Sequence, residues 1–561
     1  MPVQPEDDNK YKNKGYLHPY LDGTYYHQGV GEKPKTLIEL AMCHLSASIR
    51  TRDVWWKVYK DADVRTRWMN DALEKSVEVY SGYQEDLPSD KPVDVKLTAK
   101  QIDYVLDELE GYEALRDEIN HCEVSCFDRI WQSNASIFST GLRSLNASLD
   151  LLEARPDPDY PVESYLIDPS SSLVYNSTLV YDTETPGLLR PEPPPEQDYA
   201  VSTHSAILPA DFLVSPSGNV SWLSYIPDLY PSPSPSSSER KVYRNFTALL
   251  TVCIPLFEHV VTDLHRTNSL PYRITGTYHY EDWDEPSEPE DEEEDEERWA
   301  EYKLRYGEWE KQRRVVVPDV PKGGYPGGLE ERRCFVKLRD RVVQVITEVK
   351  EIHLSPERPT YCDNSWRVAG MKNEAIVACL AYFPLFENVV GGSITFRTAI
   401  TFPKPLIPYD SAGIAQTYGL TPGAPCTQIL GTVPVHAGRA VAWPNIYSHR
   451  YSPSRPFRLA DPAKPGRARI ISFYLCDPDK PVISTARVPP TRKEWVERAL
   501  ALTVMERVPV EIIERIVGAV PGLLSEAEVR KVRREARVER QHVRADINDM
   551  YFGVLYDIGR A

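Results

Sequence analysis

The chain has 561 residues, which is too long for one hydrophobic core, because single cores stop growing at roughly 250–300 residues. Its hydrophobic content of 41% supports a packed globular protein and excludes wholesale disorder. The net charge is −18, but thirteen acids and no base fall within Glu281–Glu297, so the rest of the chain carries only −5. This near balance outside one acidic run predicts no nucleic-acid partner.

The sequence also bears on cellular location. It contains no run of about 18 apolar residues, and the polar start MPVQPEDDNKYKNK has no secretory core. We therefore expect an intracellular protein, in the cytoplasm or nucleus, with reduced thiols and no membrane partner. Cys122 and Cys126 would share one face of a helix, but no second pair completes a zinc site, so buried free thiols are favoured.

The amino-terminal part divides into an arm and a lobe, which differ in composition and in apolar periodicity. Residues 1–35 are polar and predict a flexible arm, whereas residues 36–153 have the apolar periodicity of a helical lobe. Thr98 is a candidate N-cap. FDRIWQSNASIFSTGLRSLNASLDLLE is interpreted as a further helix of this lobe. The aromatic residues interpreted as core anchors are Trp55, Trp56, Trp68 and Trp131.

The middle of the chain changes from helix to strand. Residues 154–280 combine proline-rich connectors with short strands and one helix, and are predicted to pack on the core; Ser217-Gly218 supplies a turn between two strands. Residues 281–330 contain the acidic run and are predicted to be a disordered insert. Residues 331–490 hold regularly spaced short strands, which favour a sandwich or closed barrel.

Residues 491–561 are predicted to be a helical carboxy-terminal segment. Ser525 and Glu528 form a capping box that opens a long helix. Seven bases lie between Arg530 and Arg544 and are interspersed with acids, which indicates a mixed-charge face turned to solvent.

Several long motifs occur in a fixed order in the second half of the chain: SWRVAGMKNEAIVA, GGSITFRTAI, GTVPVHAGRAVAWPNIYSHRYSP and DPAKPGRARIISFYLCDP. Together with upstream motifs such as ESYLIDPSSSLVYNSTLV, they resemble a fungal family of uncharacterised proteins, domain of unknown function 4246, over roughly residues 36–545. The resemblance implies an α+β protein in which a double-stranded β-helix, or jelly roll, forms the core. Such a core is similar to that of Fe(II)- and 2-oxoglutarate-dependent dioxygenases.

The family resemblance also implies where a metal would bind. The family motif is similar to SWHVEGMxNEHI, whose His-x-Glu and a later histidine resemble a 2-His-1-carboxylate iron triad. In this chain Arg367, Ala369 and Ala375 replace the two histidines and the glutamate of that motif, while Glu374 and the distal His449 persist. An arginine has no lone pair to give and remains cationic, and alanine cannot coordinate a metal.

Other side chains are candidates for a rebuilt site. Asp363 and Glu374 are weak metal candidates beside His449, and His353 and His436 could supply an imidazole. In the related dioxygenases a Gly-x-Arg binds the 2-oxoglutarate carboxylate; the matching segment Gly466–Arg469 has alanine at that place, which leaves its two arginines as weak cosubstrate candidates, Arg467 and Arg469. Arg367 itself either forms an ion pair with Glu374 or binds a small anion directly.

These replacements predict a catalytically degenerate copy that serves as a binding or interaction module, with a small anion in the barrel or a protein as its partner. The balance leans against an enzyme, and no cofactor is assigned. One alternative is an active oxygenase with relocated ligands, which would use Fe(II) and 2-oxoglutarate. Another is an adaptor protein, because VPVEIIERIV with Pro509 resembles the start of an F-box helix.

Overall fold

We describe a computed structural model of the protein. It describes residues 15–19, 31–82, 92–134, 139–156, 161–170, 173–182, 187–195, 200–232, 234, 237–281, 286–288, 296–502 and 508–560.

Helices occupy both ends of the chain and cover the sheets between them. They are α1 Leu37–Arg50, α2 Trp55–Val58, α3 Ala62–Leu73, α4 Ala99–Leu115, α5 Ser139–Leu149, α6 Ser238–Leu264, α7 Glu296–Gln312, α8 Ser411–Tyr418, α9 Lys493–Leu502, α10 Val510–Ala519 and α11 Glu526–Met550. The predicted caps are confirmed: Thr98 and Ser525 each close a capping box, at the start of α4 and α11.

The first fourteen strands are short. They are β1 Val77–Val79, β2 Val93–Val95, β3 Glu123–Val124, β4 Trp131–Ser133, β5 Arg155–Pro156, β6 Glu163–Ile167, β7 Leu173–Val174, β8 Val180–Tyr181, β9 Leu188–Leu189, β10 Ser205–Ala206, β11 Ala210–Val214, β12 Val220–Trp222, β13 His279–Tyr280 and β14 Val315–Val316. The predicted turn at Ser217-Gly218 is confirmed, since it joins β11 to its antiparallel neighbour β12 and Gly218 has a φ of +88°.

The remaining strands build the centre of the molecule. They are β15 Arg341–Leu354, β16 Thr360–Tyr361, β17 Asp363–Arg367, β18 Ile376–Glu387, β19 Val389–Gly391, β20 Ser393–Ala399, β21 Thr427–Pro434, β22 Ala440–Pro444, β23 Ser448–Tyr451, β24 Phe457–Leu459 and β25 Gly466–Cys476. A single 3-10 turn, Lys372–Glu374, precedes β18.

Two facing sheets form the core. One contains the order β15-β25-β18-β22, extended at its edges by β11, β12, β4 and β3, and the other has the order β17-β23-β20-β21. All pairs are antiparallel, and the chain alternates between the two sheets, which is the arrangement of a jelly roll. The predicted α+β class with a central barrel is therefore confirmed.

The large sheet is buried on both faces. The strand sequence IVACLAYFPLFE of β18 is an almost continuous apolar run because one face lines the barrel and the other packs on α5 and α6. Among the described residues, α6 is also the one helix long and apolar enough to span a membrane. However, 72% of its most apolar window is buried inside the protein, as in an ordinary core helix.

The amino-terminal predictions need correction. Residues 36–153 are not all helical, because four short strands interrupt them and β4 pairs with β22 of the large sheet. The segment interpreted as one helix instead supplies β4 and then α5. Trp55, Trp68 and Trp131 are buried core residues as predicted, and Trp56 packs partly buried beneath the Arg116 guanidinium. Cys122 and Cys126 are free, buried thiols on either side of β3.

Two segments predicted to be flexible are partly ordered. In the arm, Tyr16 and Lys35 are buried, and Lys35 donates a hydrogen bond of 2.8 Å to Glu39. In the insert, α7 begins at the end of the acidic run and contains a row of aromatic contacts, and β13 pairs with β14 across the insert. Most of the acidic run lies outside the described residues.

The carboxy-terminal helix α11 lies across the barrel, and the prediction that its basic residues face solvent is wrong for four of the seven. Arg533 is buried, Arg537, Arg540 and Arg544 are half-buried, and the last three line the barrel cavity. The spacing of these four residues places them on one helix face. The apolar residues of the same side, Val543 and Ile547, pack in a small cluster with Val368 and Met371 beside β17.

Candidate functional site

The barrel encloses a cavity of about 210 Å³ between the two sheets and α11. Alternate residues of each strand point inward, so the lining has a regular origin. The inward residues are Glu163 and Tyr165 of β6, Ile346, Glu348 and Lys350 of β15, Asp363 and Arg367 of β17, Trp443 of β22, His449 and Tyr451 of β23, and Ile470, Ser472 and Tyr474 of β25. Helix α11 closes the mouth with Arg537, Arg540, Gln541 and Arg544.

Arg367 and His449 occupy opposite positions on the β17–β23 ladder, as direct register partners. The guanidinium of Arg367 donates a hydrogen bond to the carboxylate of Asp363, four residues earlier on the same strand, and lies 5.7 Å from the centre of the Tyr451 ring. The prediction that Arg367 pairs with Glu374 is therefore wrong. The predicted proximity of the arginine to His449 is confirmed.

His449 is a buried, neutral imidazole. Its Nδ1 atom has no hydrogen-bond partner among the described residues, and its ring lies 4.7 Å from that of Trp443. Burial, reinforced by the positive charge of Arg367, lowers the pKa of His449 well below its usual value. Burial would raise the pKa of Asp363, but the guanidinium of Arg367 and the backbone N–H of Ser365 hold it below its ordinary range.

Glu374 is fully buried but belongs to the loop that shapes the cavity wall. Its carboxylate accepts a hydrogen bond of 2.8 Å from the backbone N–H of Ile207 and another from the backbone N–H of Met371. It also forms an ion pair with Arg540 at 2.9 Å. These contacts hold the 3-10 turn and dock α11 on it. Ala375 follows in the left-handed region with a φ of +49°. Glu374 is thus an anchor for the helix that closes the cavity.

The loop carrying Ala369 is fixed by Asn445, which follows Trp443-Pro444 at the end of β22. The Asn445 side chain accepts a hydrogen bond of 2.7 Å from the backbone N–H of Ala369 and donates one of 2.9 Å to its carbonyl. It donates a third to Ile376 at 3.1 Å. Ala369 therefore lines the same cavity as Arg367 and His449 but contributes only a methyl group.

Neither cosubstrate candidate reaches the cavity. Arg469 is fully buried on the outer face of β25, where it binds Glu351 at 2.5 Å and Asp150 at 2.7 Å. Arg467 lies on the same face and pairs with Glu387 at 2.6 Å. The inward residue between them is Ala468, as strand alternation predicts.

The two spare histidines are also elsewhere. His353 is 47% exposed and its Nε2 atom lies 2.8 Å from the hydroxyl of Ser164, while His436 is exposed in the turn before β22, with its Nδ1 atom 2.9 Å from the carbonyl of Ala437. Neither lines the cavity with His449.

An iron triad does not fit this donor set. Fe(II) in such a barrel requires two imidazoles and one carboxylate on a common centre. Here His449 faces a guanidinium, Ala369 has no donor, and Asp363 is engaged by Arg367. Among the described residues, no group of three or more His, Cys, Asp or Glu side chains could hold a metal ion. A cation at the ligand position also opposes a second cation through charge repulsion.

Sequence reasoning missed the ionic lining supplied by β6, β15 and α11. Lys350 binds Glu163 at 2.6 Å, and Tyr361 donates a second hydrogen bond to the same carboxylate. Glu348 lies one inward position away on β15. The signal was available as charged residues at alternating positions within an otherwise apolar strand, VVQVITEVKEI. The sequence alone did not show which face of that strand would line a cavity.

Comparison with solved structures gives only distant similarity. An Fe(II)/(alpha)ketoglutarate-dependent dioxygenase, TqaL, is 9% identical, with 78% of this chain and 95% of that chain covered and a TM-score of 0.25. IDO from Bacillus thuringiensis is 7% identical, with 62% and 90% covered and a TM-score of 0.22. A bsmA homolog from Methylobium petroleophilum PM1 is 10% identical, with 61% and 81% covered and a TM-score of 0.21. These values are too low to bear on function.

No relative was found among curated proteins. A family model, by contrast, matches residues 99–499, which is well over half of the chain and includes the whole barrel. The chain therefore belongs to the family described as protein of unknown function DUF4246.

Proposed function

We propose that this protein is a metal-independent binding module, which holds a small anionic molecule in the cavity of its barrel. The observation that carries the proposal is the position of Arg367. This permanent cation lines the cavity directly opposite His449, its register partner on β23. A guanidinium recognises carboxylate and phosphate groups through paired N–H donors, without a metal.

The rest of the lining supports the recognition of a small polar molecule. Lys350 and three arginines of α11 add positive charge around the cavity, while Trp443, Tyr451 and Tyr474 supply aromatic walls. The volume of about 210 Å³ lies below the roughly 300–1,000 Å³ of sites for drug-sized ligands, so a molecule of few atoms is favoured.

Two measurements on the purified full chain test this proposal. Elemental analysis should find no stoichiometric iron or manganese, and titration with pyruvate or inorganic phosphate should raise the melting temperature. Arg367→Met should remove that stabilisation, whereas Arg458→Met, which changes an exposed arginine on β24, should preserve it. One bound iron per chain that is lost in His449→Ala would overturn the proposal, as would failure of both anions to stabilise the protein.

A second candidate function is supported by the surface of α10. Ile513 and Val517 are buried, but four apolar side chains of this short segment are exposed: Val510 by 60%, Ile512 by 48%, Ile516 by 39% and Val520 by 43%. An apolar helix face of this kind favours docking to another protein. For an F-box-like adaptor, the partner is a ligase scaffold subunit. If the wild-type protein co-purifies with such a subunit and Ile512→Asp does not, the adaptor function is supported. If the wild type captures no such subunit, the adaptor function is excluded.

A further inference from the structure

Glu348 occupies the inner face of β15 at the middle of the cavity wall. Its neighbours on the same face are Ile346 and Lys350, and its register partner on β25 is Ser472. The position gives a half-buried carboxyl group direct access to the cavity.

The carboxylates around the cavity differ in whether a cation accompanies them. Glu163 binds Lys350 at 2.6 Å, Asp363 binds Arg367, and Asp168 lies 3.7 Å from Arg537. Among the described residues, Glu348 has no hydrogen bond or ion pair. A half-buried carboxyl group without a partner is stabilised when it is neutral or when a ligand completes its hydrogen bonds.

The groups that face Glu348 come from every wall. Lys350 on its own strand and Arg367 on β17 favour its ionised form, whereas Glu163 of β6 and Asp168, which follows β6, oppose it. Tyr165, Tyr451 and Tyr474 complete the surroundings as uncharged aromatic side chains. Burial outweighs the cations and raises the pKa of Glu348 above its usual value.

The balance of charge decides what the cavity accepts. Five cationic side chains line it: Lys350, Arg367, Arg537, Arg540 and Arg544. Against them stand Glu163, Asp168 and Asp363 in the lining when Glu348 carries a proton. The lining then has an excess of positive charge, which favours an anionic ligand.

We propose that Glu348 is the recognition residue of the cavity and that the ligand is a small monocarboxylate, which binds together with one proton shared between its carboxylate and Glu348. This inference rests on the proposed function and deepens it. A protonated carboxyl donates a strong hydrogen bond to a carboxylate, which makes the pair specific for weak acids. Inorganic phosphate can bind the arginines but does not require that proton.

The experiment is isothermal titration of the full-length protein with pyruvate in two buffers of different ionisation enthalpy at one pH. At a pH above the pKa that Glu348 has in the ligand-free protein, the wild type should take up close to one proton for each pyruvate bound. Its affinity should fall by about tenfold for each further pH unit. Glu348→Gln should bind pyruvate without proton uptake and with little pH dependence. Glu348→Asp should keep the uptake, and Arg458→Met, which changes an exposed residue of β24 outside the cavity, should leave it unaltered.

The outcomes separate this inference from the proposed function. Pyruvate binding without proton uptake, or proton uptake that persists in Glu348→Gln, overturns the role of Glu348 but leaves anion binding intact. Binding of phosphate but not of pyruvate overturns the ligand class. Absence of binding by both anions to a folded wild type removes the proposed function and this inference with it. Circular dichroism confirms that each variant is folded before titration.

Discussion

Arg367 and His449 face each other across the β17–β23 ladder, and both side chains line the barrel cavity. The positive charge of Arg367 adds to burial in lowering the pKa of His449, so this imidazole is neutral near pH 7. A neutral imidazole is able to bind a metal, but the guanidinium beside it repels one. Arg367 therefore supplies no metal ligand itself and makes the place of His449 unfavourable for iron.

The ion pair of Arg367 with Asp363 should be important for stability. Both side chains are largely buried, at 18% and 5% exposure, so Arg367→Met leaves a buried carboxylate without its cation. We expect a loss of about 3–5 kcal/mol in the free energy of unfolding. Urea denaturation at pH 7 measures it, and Arg367→Met/Asp363→Asn should recover part of the loss.

The matched control for that experiment is the exposed pair of Lys464 and Asp461, whose atoms lie 3.1 Å apart. Lys464→Met should cost less than about 1 kcal/mol, because solvent screens exposed ion pairs. If Arg367→Met costs no more than this control, the buried pair does not contribute as proposed.

Asp228 should control the docking of α11. This fully buried carboxylate accepts contacts from three arginines that lie far apart in sequence, namely Arg155, Arg492 and Arg533, the last at 2.6 Å. Asp228→Asn removes the charge that all three share, so α11 should open more readily. Hydrogen exchange of the α11 amides should accelerate by at least about tenfold, while exchange in β18 should not change.

Asp461→Asn serves as a control for this second experiment, since it changes an exposed carboxylate that lies away from α11. Equal acceleration of exchange in α11 and β18 would indicate global destabilisation, which would contradict a local role for Asp228.

The sequence predicted what depends on local pattern, and missed what depends on long-range pairing. The strands of the barrel, the capping boxes at Thr98 and Ser525 and the inward position of Ala468 all follow from short periodicities. The burial of Arg533 does not, because its partner Asp228 is 305 residues away. Mixed charges on a helix usually indicate solvent exposure, but α11 has carboxylates of the core beneath one face, which overrides that tendency.

Arg469 should be structural and not a ligand-binding residue. It lies on the outer face of β25, where it binds Glu351, and the cavity lies on the opposite face. Arg469→Met should therefore lower the free energy of unfolding by about 3–5 kcal/mol, since it leaves a buried carboxylate unpaired. The dissociation constant of pyruvate, measured at a temperature where the variant remains folded, should stay within about twofold of the wild type. A large loss of affinity for pyruvate would show instead that Arg469 takes part in ligand binding.

The raised pKa of Glu348 predicts a characteristic effect of pH on stability. The folded protein retains the proton of Glu348 at pH values where the unfolded chain, with a pKa near 4.5, has lost it. The wild type therefore loses stability as the pH rises from 4.5 through the folded pKa, whereas glutamine does not titrate. The melting temperature of Glu348→Gln relative to wild type should increase across that range and then level off. Glu308→Gln, at an exposed position of α7, should show a flat difference, and an equally flat difference for Glu348→Gln would contradict a raised pKa of Glu348.

Placing two metal donors beside His449 should create a metal site. Arg367 and Ala369 line the cavity with His449, so the double variant Arg367→His/Ala369→Glu brings two imidazoles and one carboxylate to the same wall. We expect one Co(II), as an air-stable substitute for Fe(II), to bind per chain, with affinity at least about tenfold higher than in Arg367→His alone. Visible absorption of Co(II) and calorimetry measure this binding. The further change His449→Ala should abolish it. Failure of the folded double variant to bind Co(II) would mean that this barrel does not hold the geometry of a triad, because the donors alone would then be insufficient.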